Sequence, residues 1–124
     1  MQQFIGKTDR VEFIHADFQQ CMNLSIPGDT VYCDPPYVPL TDTACFTDYH
    51  SGGFGWQDQV RLVELATARA AHGVQVVISN HDTLQLRRLY KQAGGSISRF
   101  QVRRTISADT GNRRRVGELL AVFE

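Results

Sequence analysis

The run Val31-Tyr32-Cys33-Asp34-Pro35-Pro36-Tyr37-Val38-Pro39 begins as a packed strand and ends as a rigid loop. Val31, Tyr32 and Cys33 suit a pleated, half-buried position. Pro35 and Pro36 each lack a backbone N–H and fix φ, so neither can continue a sheet ladder. Asp34 is therefore expected as the last strand residue. A residue before proline is itself driven to extended conformations, which places the Asp34 carboxylate and the Pro35 carbonyl in a stiff turn just past the strand's carboxyl end. Open α/β sheets bind their ligands along that edge.

The flanking segments supply the rest of such a sheet. Upstream, Val11 to His15 has apolar residues at alternate positions and reads as a short strand. Asp17 is placed to cap a helix through Phe18, Cys21, Met22 and Leu24, and Pro27-Gly28-Asp29 breaks the chain. Downstream, Pro35 to Gly55 is a long loop, of a length that in compact domains is usually either functional or disordered. Gln57 to His72 has Val60, Val63, Leu65 and Ala66 at helical spacing, with Gly73 placed as its stop. Val74 to Ile78 is a mostly apolar run that predicts a strand covered on both faces, and so a parallel sheet. Ser79-Asn80-His81-Asp82 reads as the loop at its carboxyl end, with Asp82 or Thr83 capping a further helix that ends near Gly94-Gly95. Ile97 to Ile106 and Val116 to Phe123 are β-rich, and the turn chemistry of residues 107–112 makes them an antiparallel hairpin. The order predicts a single α/β domain over residues 1–124, with helices on both faces of a mixed sheet. Residues 1–10 read as a linker remnant.

Composition bounds the function. The chain has 124 residues, 42% of them hydrophobic, enough for one core. No apolar run is long enough to cross a membrane, and the start lacks the apolar core of a signal peptide, so the protein reads as cytosolic. Cys21, Cys33 and Cys45 match no zinc or redox spacing; they are expected to be reduced thiols, with no metal site. The net charge of zero conceals an asymmetry: ten acidic residues face four basic ones up to Thr83, and nine basic face three acidic beyond it. A basic carboxyl-terminal half hints at contact with a polyanion.

Asp34, Pro35, Pro36 and Tyr37 combine a carboxylate, a carbonyl with no N–H nearby and an aromatic ring. Together they suit a clamp for a planar amine: Asp34 and the Pro35 carbonyl accept from an exocyclic NH2, while Tyr37 stacks on the ring that bears it.

The tetrapeptide Asp34-Pro35-Pro36-Tyr37 after an apolar strand resembles the catalytic motif of amino methyltransferases that modify adenine N6 in DNA. With Phe46-Thr47-Asp48-Tyr49-His50, Ile78-Ser79-Asn80-His81-Asp82-Thr83 and Val102-Arg103-Arg104-Thr105-Ile106-Ser107 following in order, the chain resembles the Dam-type enzymes from about His15 onward. That resemblance implies a partial class I S-adenosylmethionine-dependent methyltransferase sheet, Rossmann-like, with a carboxyl-terminal antiparallel hairpin. It implies transfer of a methyl group from S-adenosylmethionine to an adenine flipped out of double-stranded DNA, in a GATC context. Asp34, Pro35, Pro36 and Tyr37 would be catalytic, and Asp17, Phe18 and Asp34 would bind the cofactor. Tyr37, Phe46, Tyr49, His50, Asn80 and His81 would lie against the substrate, and Arg103, Arg104, Arg113, Arg114 and Arg115 would contact phosphates.

The family's glycine-rich cofactor turn, its first strands and its target-recognition domain have no counterpart here. Gly52-Gly53-Phe54-Gly55 lies downstream of the catalytic motif, in the wrong context. The chain therefore resembles the carboxyl-terminal portion of the enzyme, and is expected to be inactive alone unless complemented by an amino-terminal methyltransferase fragment. Two alternatives stay open: a methyltransferase for another planar amine, and a non-catalytic remnant that binds DNA or a partner chain.

Overall fold

The computed structural model describes residues 10–38, 53–105 and 113–124. Its elements, in chain order, are α1 (Phe18–Asn23), β1 (Thr30–Cys33), α2 (Trp56–Ala71), β2 (Gln75–His81), α3 (Leu84–Gln92), β3 (Ser96–Thr105) and β4 (Arg113–Phe123). The strands form one mixed sheet in the order β1-β2-β4-β3. β1 and β2 run parallel, in register from Thr30 opposite Gln75 to Cys33 opposite Ile78. β4 is antiparallel to both β2 and β3, so the expected terminal hairpin is present.

Local chemistry sets the helix ends. Asp17 caps α1, its carboxylate accepting from the Gln19 N–H, while the Gln20 side chain accepts from the Asp17 N–H. Thr83, rather than Asp82, caps α3 by accepting from the Leu86 N–H at 3.2 Å. α3 closes through Gly94, which takes the left-handed φ of 89° that favours glycine. The Gly95 N–H then reaches back to the Tyr90 carbonyl at 2.9 Å.

One face of the sheet carries the core. Val76, Ile78 and Asn80 of β2 share that face with Phe123, Ala121 and Leu119, their register partners on β4. Leu62, Val63 and Ala66 of α2, and Leu86 and Tyr90 of α3, pack on them in one buried cluster. The other face carries Tyr32, 63% exposed, and Phe100, 41% exposed, with Val77, Leu120 and Val122 half-buried among them. Helices were expected on both faces; among the described residues they pack on one. A mostly apolar run such as Val74 to Ile78 shows that both sides of a strand are apolar, but not that both are covered.

Three further expectations are corrected. Val11 to His15 forms no strand, and Val11, Phe13 and Ile14 are about half exposed. A strand needs partners for its N–H and C=O groups, and no strand of the sheet pairs with these residues. β1 ends at Cys33, one residue before Asp34. β2 runs on through Ser79, Asn80 and His81, which were read as loop, because β4 pairs with it as far as His81 opposite Glu118. Polar residues in a strand resemble a loop when sequence alone is considered.

Asp82 then fastens the sheet to α3. Its N–H donates to the Gly117 carbonyl at 2.9 Å. Its carboxylate accepts from Arg87 and, at 2.8 Å, from Arg99. Burial alone would push the Asp82 carboxyl up, but the hydrogen bonds and charges of Arg99 and Arg87 outweigh it and hold the group below the usual carboxylate range. A folded-state value below the unfolded one contributes stability that is complete above about pH 4–5 and is lost as pH falls through the folded value. Urea titrations at pH 7 should find Asp82→Asn less stable by roughly 1.5–3 kcal/mol, the range for hydrogen bonds to charged groups. Its stability should also fall less than the wild type's on going down to pH 3.

Candidate functional site

The site gathers at the carboxyl ends of β1 and β2. Asp34 follows β1 directly and is exposed, with its Oδ1 accepting from the Ser79 hydroxyl of β2 at 3.1 Å. Ser79 is itself 5% exposed. Sequence reasoning missed this partner because the serine lay within a presumed loop. Among the described residues, neither the second carboxylate oxygen of Asp34 nor the Pro35 carbonyl accepts a hydrogen bond. Two acceptors thus stand open side by side along the chain, where the sheet ends.

The turn beyond them is tied down at every later residue. The Pro36 carbonyl accepts from Gln59 Nε2 at 3.1 Å. The Val38 N–H donates to Asn80 Oδ1 at 3.0 Å. His81 Nδ1 lies 2.7 Å from the Val38 carbonyl, which can only accept, so Nδ1 carries the proton. The His81 ring meets Tyr37 edge-on, with centroids 4.6 Å apart. Asn80 and His81 therefore reach the motif from the strand rather than from a loop: Asn80 is fully buried beneath the turn, and His81 supports Tyr37.

Beside β1 lies a cavity of about 360 Å³ whose wall includes Phe18, Met22, Cys33, Pro35, Phe54 and Leu62. Its lining is mostly apolar, with Asp34 and Pro35 at one side. Phe18 is held between Phe54, 5.6 Å away between ring centroids, and the Arg61 guanidinium, 4.3 Å from the ring centroid. Asp17 is not part of the wall. One of its oxygens caps α1 and the other lies 3.6 Å from Arg61. Phe54, dismissed on sequence as part of a misplaced glycine run, contributes to the wall; only the aromatic within that run could have signalled it. Burial pushes the Cys33 thiol up to about 11, so it stays protonated at neutral pH and acts as wall rather than nucleophile.

The remaining expected residues divide in two. Phe46, Tyr49 and His50 lie outside the described residues. Arg103, Arg104, Arg113, Arg114 and Arg115 sit at the distal end of the β3–β4 hairpin, where the register sets Arg103 opposite Arg115 and Arg104 opposite Arg114. No group of three or more His, Cys, Asp or Glu that could hold a metal ion occurs among the described residues. Among those residues, no helix is long and apolar enough to cross a membrane.

Comparison with known proteins identifies the family. The family model of the D12 class N6 adenine-specific DNA methyltransferases matches residues 1–106. A DNA adenine methylase of Vibrio cholerae serotype O1 is 41% identical over 121 residues, covering 97% of this chain and 43% of the relative. One from Escherichia coli K12 is 38% identical over 121 residues, with 98% and 43% covered. The DNA N-6-adenine-methyltransferase of Escherichia phage P1 is 34% identical over 123 residues, covering 99% of this chain and 16% of the relative. The chain thus spans about two-fifths of the length of the first two. It belongs to the D12 class N6 adenine-specific DNA methyltransferase family.

Proposed function

We propose that this chain provides the catalytic portion of a cytoplasmic DNA adenine-N6 methyltransferase, a single partial domain acting on an adenine flipped out of duplex DNA. The observation that carries the reading is the pair of open acceptors, the outer oxygen of Asp34 and the Pro35 carbonyl, beside the Tyr37 ring. An exocyclic NH2 has two hydrogens, and two acceptors hold it so that the nitrogen lone pair faces away from both. Tyr37, propped by His81, offers its ring to the base and offsets part of the unstacking cost, at roughly 1–3 kcal/mol per stacked base. Asp34 need only accept a hydrogen bond during transfer and take the proton afterwards, so positioning and electrostatics carry the rate.

The apolar cavity suits the flat heterocycle of S-adenosylmethionine, with Phe18, Phe54 and Leu62 as walls and Pro35 toward the reacting end. When bound, that cofactor supplies an activated methyl group. The site's own residues orient the amine. Cross-strand pairs of like charge at the hairpin end are unfavourable by themselves. An adjacent phosphate backbone would relieve them, and a GATC target would then be read by segments that the longer relatives possess. Among the described residues the outer edge of β1 is unpaired and the face bearing Tyr32 and Phe100 is uncovered, which suits an amino-terminal methyltransferase portion completing the sheet.

The test is methylation of a GATC-containing duplex with labelled S-adenosylmethionine, by this chain alone and by this chain mixed with the amino-terminal part of the Vibrio cholerae relative. N6-methyladenine in the mixture, absent when Asp34 is replaced, is the expected result. A folded mixture that methylates nothing would sink the reading.

A further inference from the structure

The prolines of the motif fix φ, and Pro36 restricts the ψ of Pro35 before it, but the ψ of Pro36 is free, and ψ sets where a carbonyl points. Neither proline has an N–H with which to close a turn of its own. Something outside the motif must therefore direct the Pro36 carbonyl and hold the turn beyond it, and two buried amides are placed to do so. Gln59 of α2 is 2% exposed and Asn80 of β2 is fully buried. Asn80 Oδ1 accepts from the Val38 N–H at 3.0 Å and from the His81 N–H at 2.8 Å. Asn80 Nδ2 donates to Gln59 Oε1 at 3.2 Å and to the Tyr90 hydroxyl at 3.4 Å. Gln59 Nε2 then donates to the Pro36 carbonyl at 3.1 Å.

The direction of this chain is forced. Two backbone N–H groups can only donate, so the Asn80 oxygen must face them. Its NH2 must then face Gln59, and the Gln59 NH2 must face Pro36. Tyr90 anchors the far end from within the core, its hydroxyl raised to about 12 mainly by burial and so neutral. Each buried side-chain nitrogen and oxygen of this set has at least one hydrogen-bond partner.

We propose that Gln59 and Asn80 are positioning residues for the amine clamp: they occupy the Pro36 carbonyl and the Val38 N–H, and so leave the Pro35 carbonyl and the outer Asp34 oxygen as the acceptors presented to a substrate. This inference rests on the reading of the site given above. It assigns the geometry of the motif to α2 and β2 rather than to the prolines alone.

Gln59→Glu gives a distinctive test. An ionised carboxylate has no donor for the Pro36 carbonyl, and it sets acceptor against acceptor. Protonated, it donates to Pro36 through its hydroxyl and accepts from Asn80 with its other oxygen, which restores the wild-type pattern. Amide exchange on the full chain should show Val38 protection reduced about tenfold at pH 8 and largely recovered at pH 5, while Val76, in mid-sheet, keeps its wild-type value at both. Gln59→Met keeps the volume without the hydrogen bonds, and should lose Val38 protection at both pH values. Adenosine is the ligand probe: it should shift the Asp34 and Tyr37 signals of the wild type, and bind more weakly to Gln59→Glu at pH 8 than at pH 5. Val38 protection unchanged in both variants, with adenosine binding intact, overturns the relay alone. A wild-type chain whose Asp34 and Tyr37 signals ignore adenosine overturns the amine clamp, and the positioning role with it.

Discussion

Replacing Asp34 by asparagine should lower methyl transfer in the complemented assay by at least about 10²–10³-fold, the usual cost of removing one group that meets charge developing in the transition state. Stability should hardly change. The amide oxygen of the Asp34→Asn side chain can still accept from the Ser79 hydroxyl, the hydrogen bond that Asp34 Oδ1 makes at 3.1 Å. The outward position then carries an NH2, so donor meets donor where the substrate amine should be held. Asp34→Ala should lose as much activity and, in addition, about 1 kcal/mol of stability, because the nearly buried Ser79 hydroxyl is left without its acceptor. Asp34→Glu retains the charge one methylene further out, a displacement that costs on the order of 10²-fold in a positioned reaction. Initial rates of N6-methyladenine formation, beside urea unfolding curves, separate the two effects. An Asp34→Asn rate within threefold of wild type would remove Asp34 from the chemistry.

The contrast between Asp34 and Asn80 shows how far the site was legible in the sequence. Asp34 could be found because two prolines stop a strand at a known residue, and because a carboxylate, a free carbonyl and a ring stand within four positions. Asn80 was misread as loop. Its polar neighbourhood suggested a loop open to substrate, whereas it is a fully buried strand residue whose four hydrogen bonds stay inside the protein. Gln59 carried no signal at all, since one glutamine on an amphipathic helix looks like a solvated one until the strand beneath it is in place. The fold followed the same division. Helix ends at Asp17, Gly73 and Gly94 are written in local chemistry and were legible. Pairing depends on distant partners: Val11 to His15 has the alternation of a strand with nothing to pair with, and Ser79 to His81 has the composition of a loop but is held in the sheet by Glu118 to Leu120.

Phe123→Ala should destabilise the chain by about 3–5 kcal/mol, through lost transfer energy and the cavity left behind. Phe123 is the last residue of β4 and is 2% exposed. Its ring meets Tyr90 edge-on, with centroids 6.1 Å apart, and so joins β4 to α3. For a chain of this size that loss corresponds to a fall of roughly 10–25 °C in the melting temperature. Gly95 faces the same ring: a Cβ added there would come within 2.8 Å of the Phe123 ring. Gly95→Ala should accordingly cost about 1–3 kcal/mol by overpacking. The two sites share one volume, so their effects should not add. Gly95→Ala combined with Phe123→Leu, where the smaller side chain vacates the space the methyl needs, should be more stable than the sum of the two single variants predicts by about 1 kcal/mol. Strict additivity in urea unfolding would mean that the ring does not rest on Gly95.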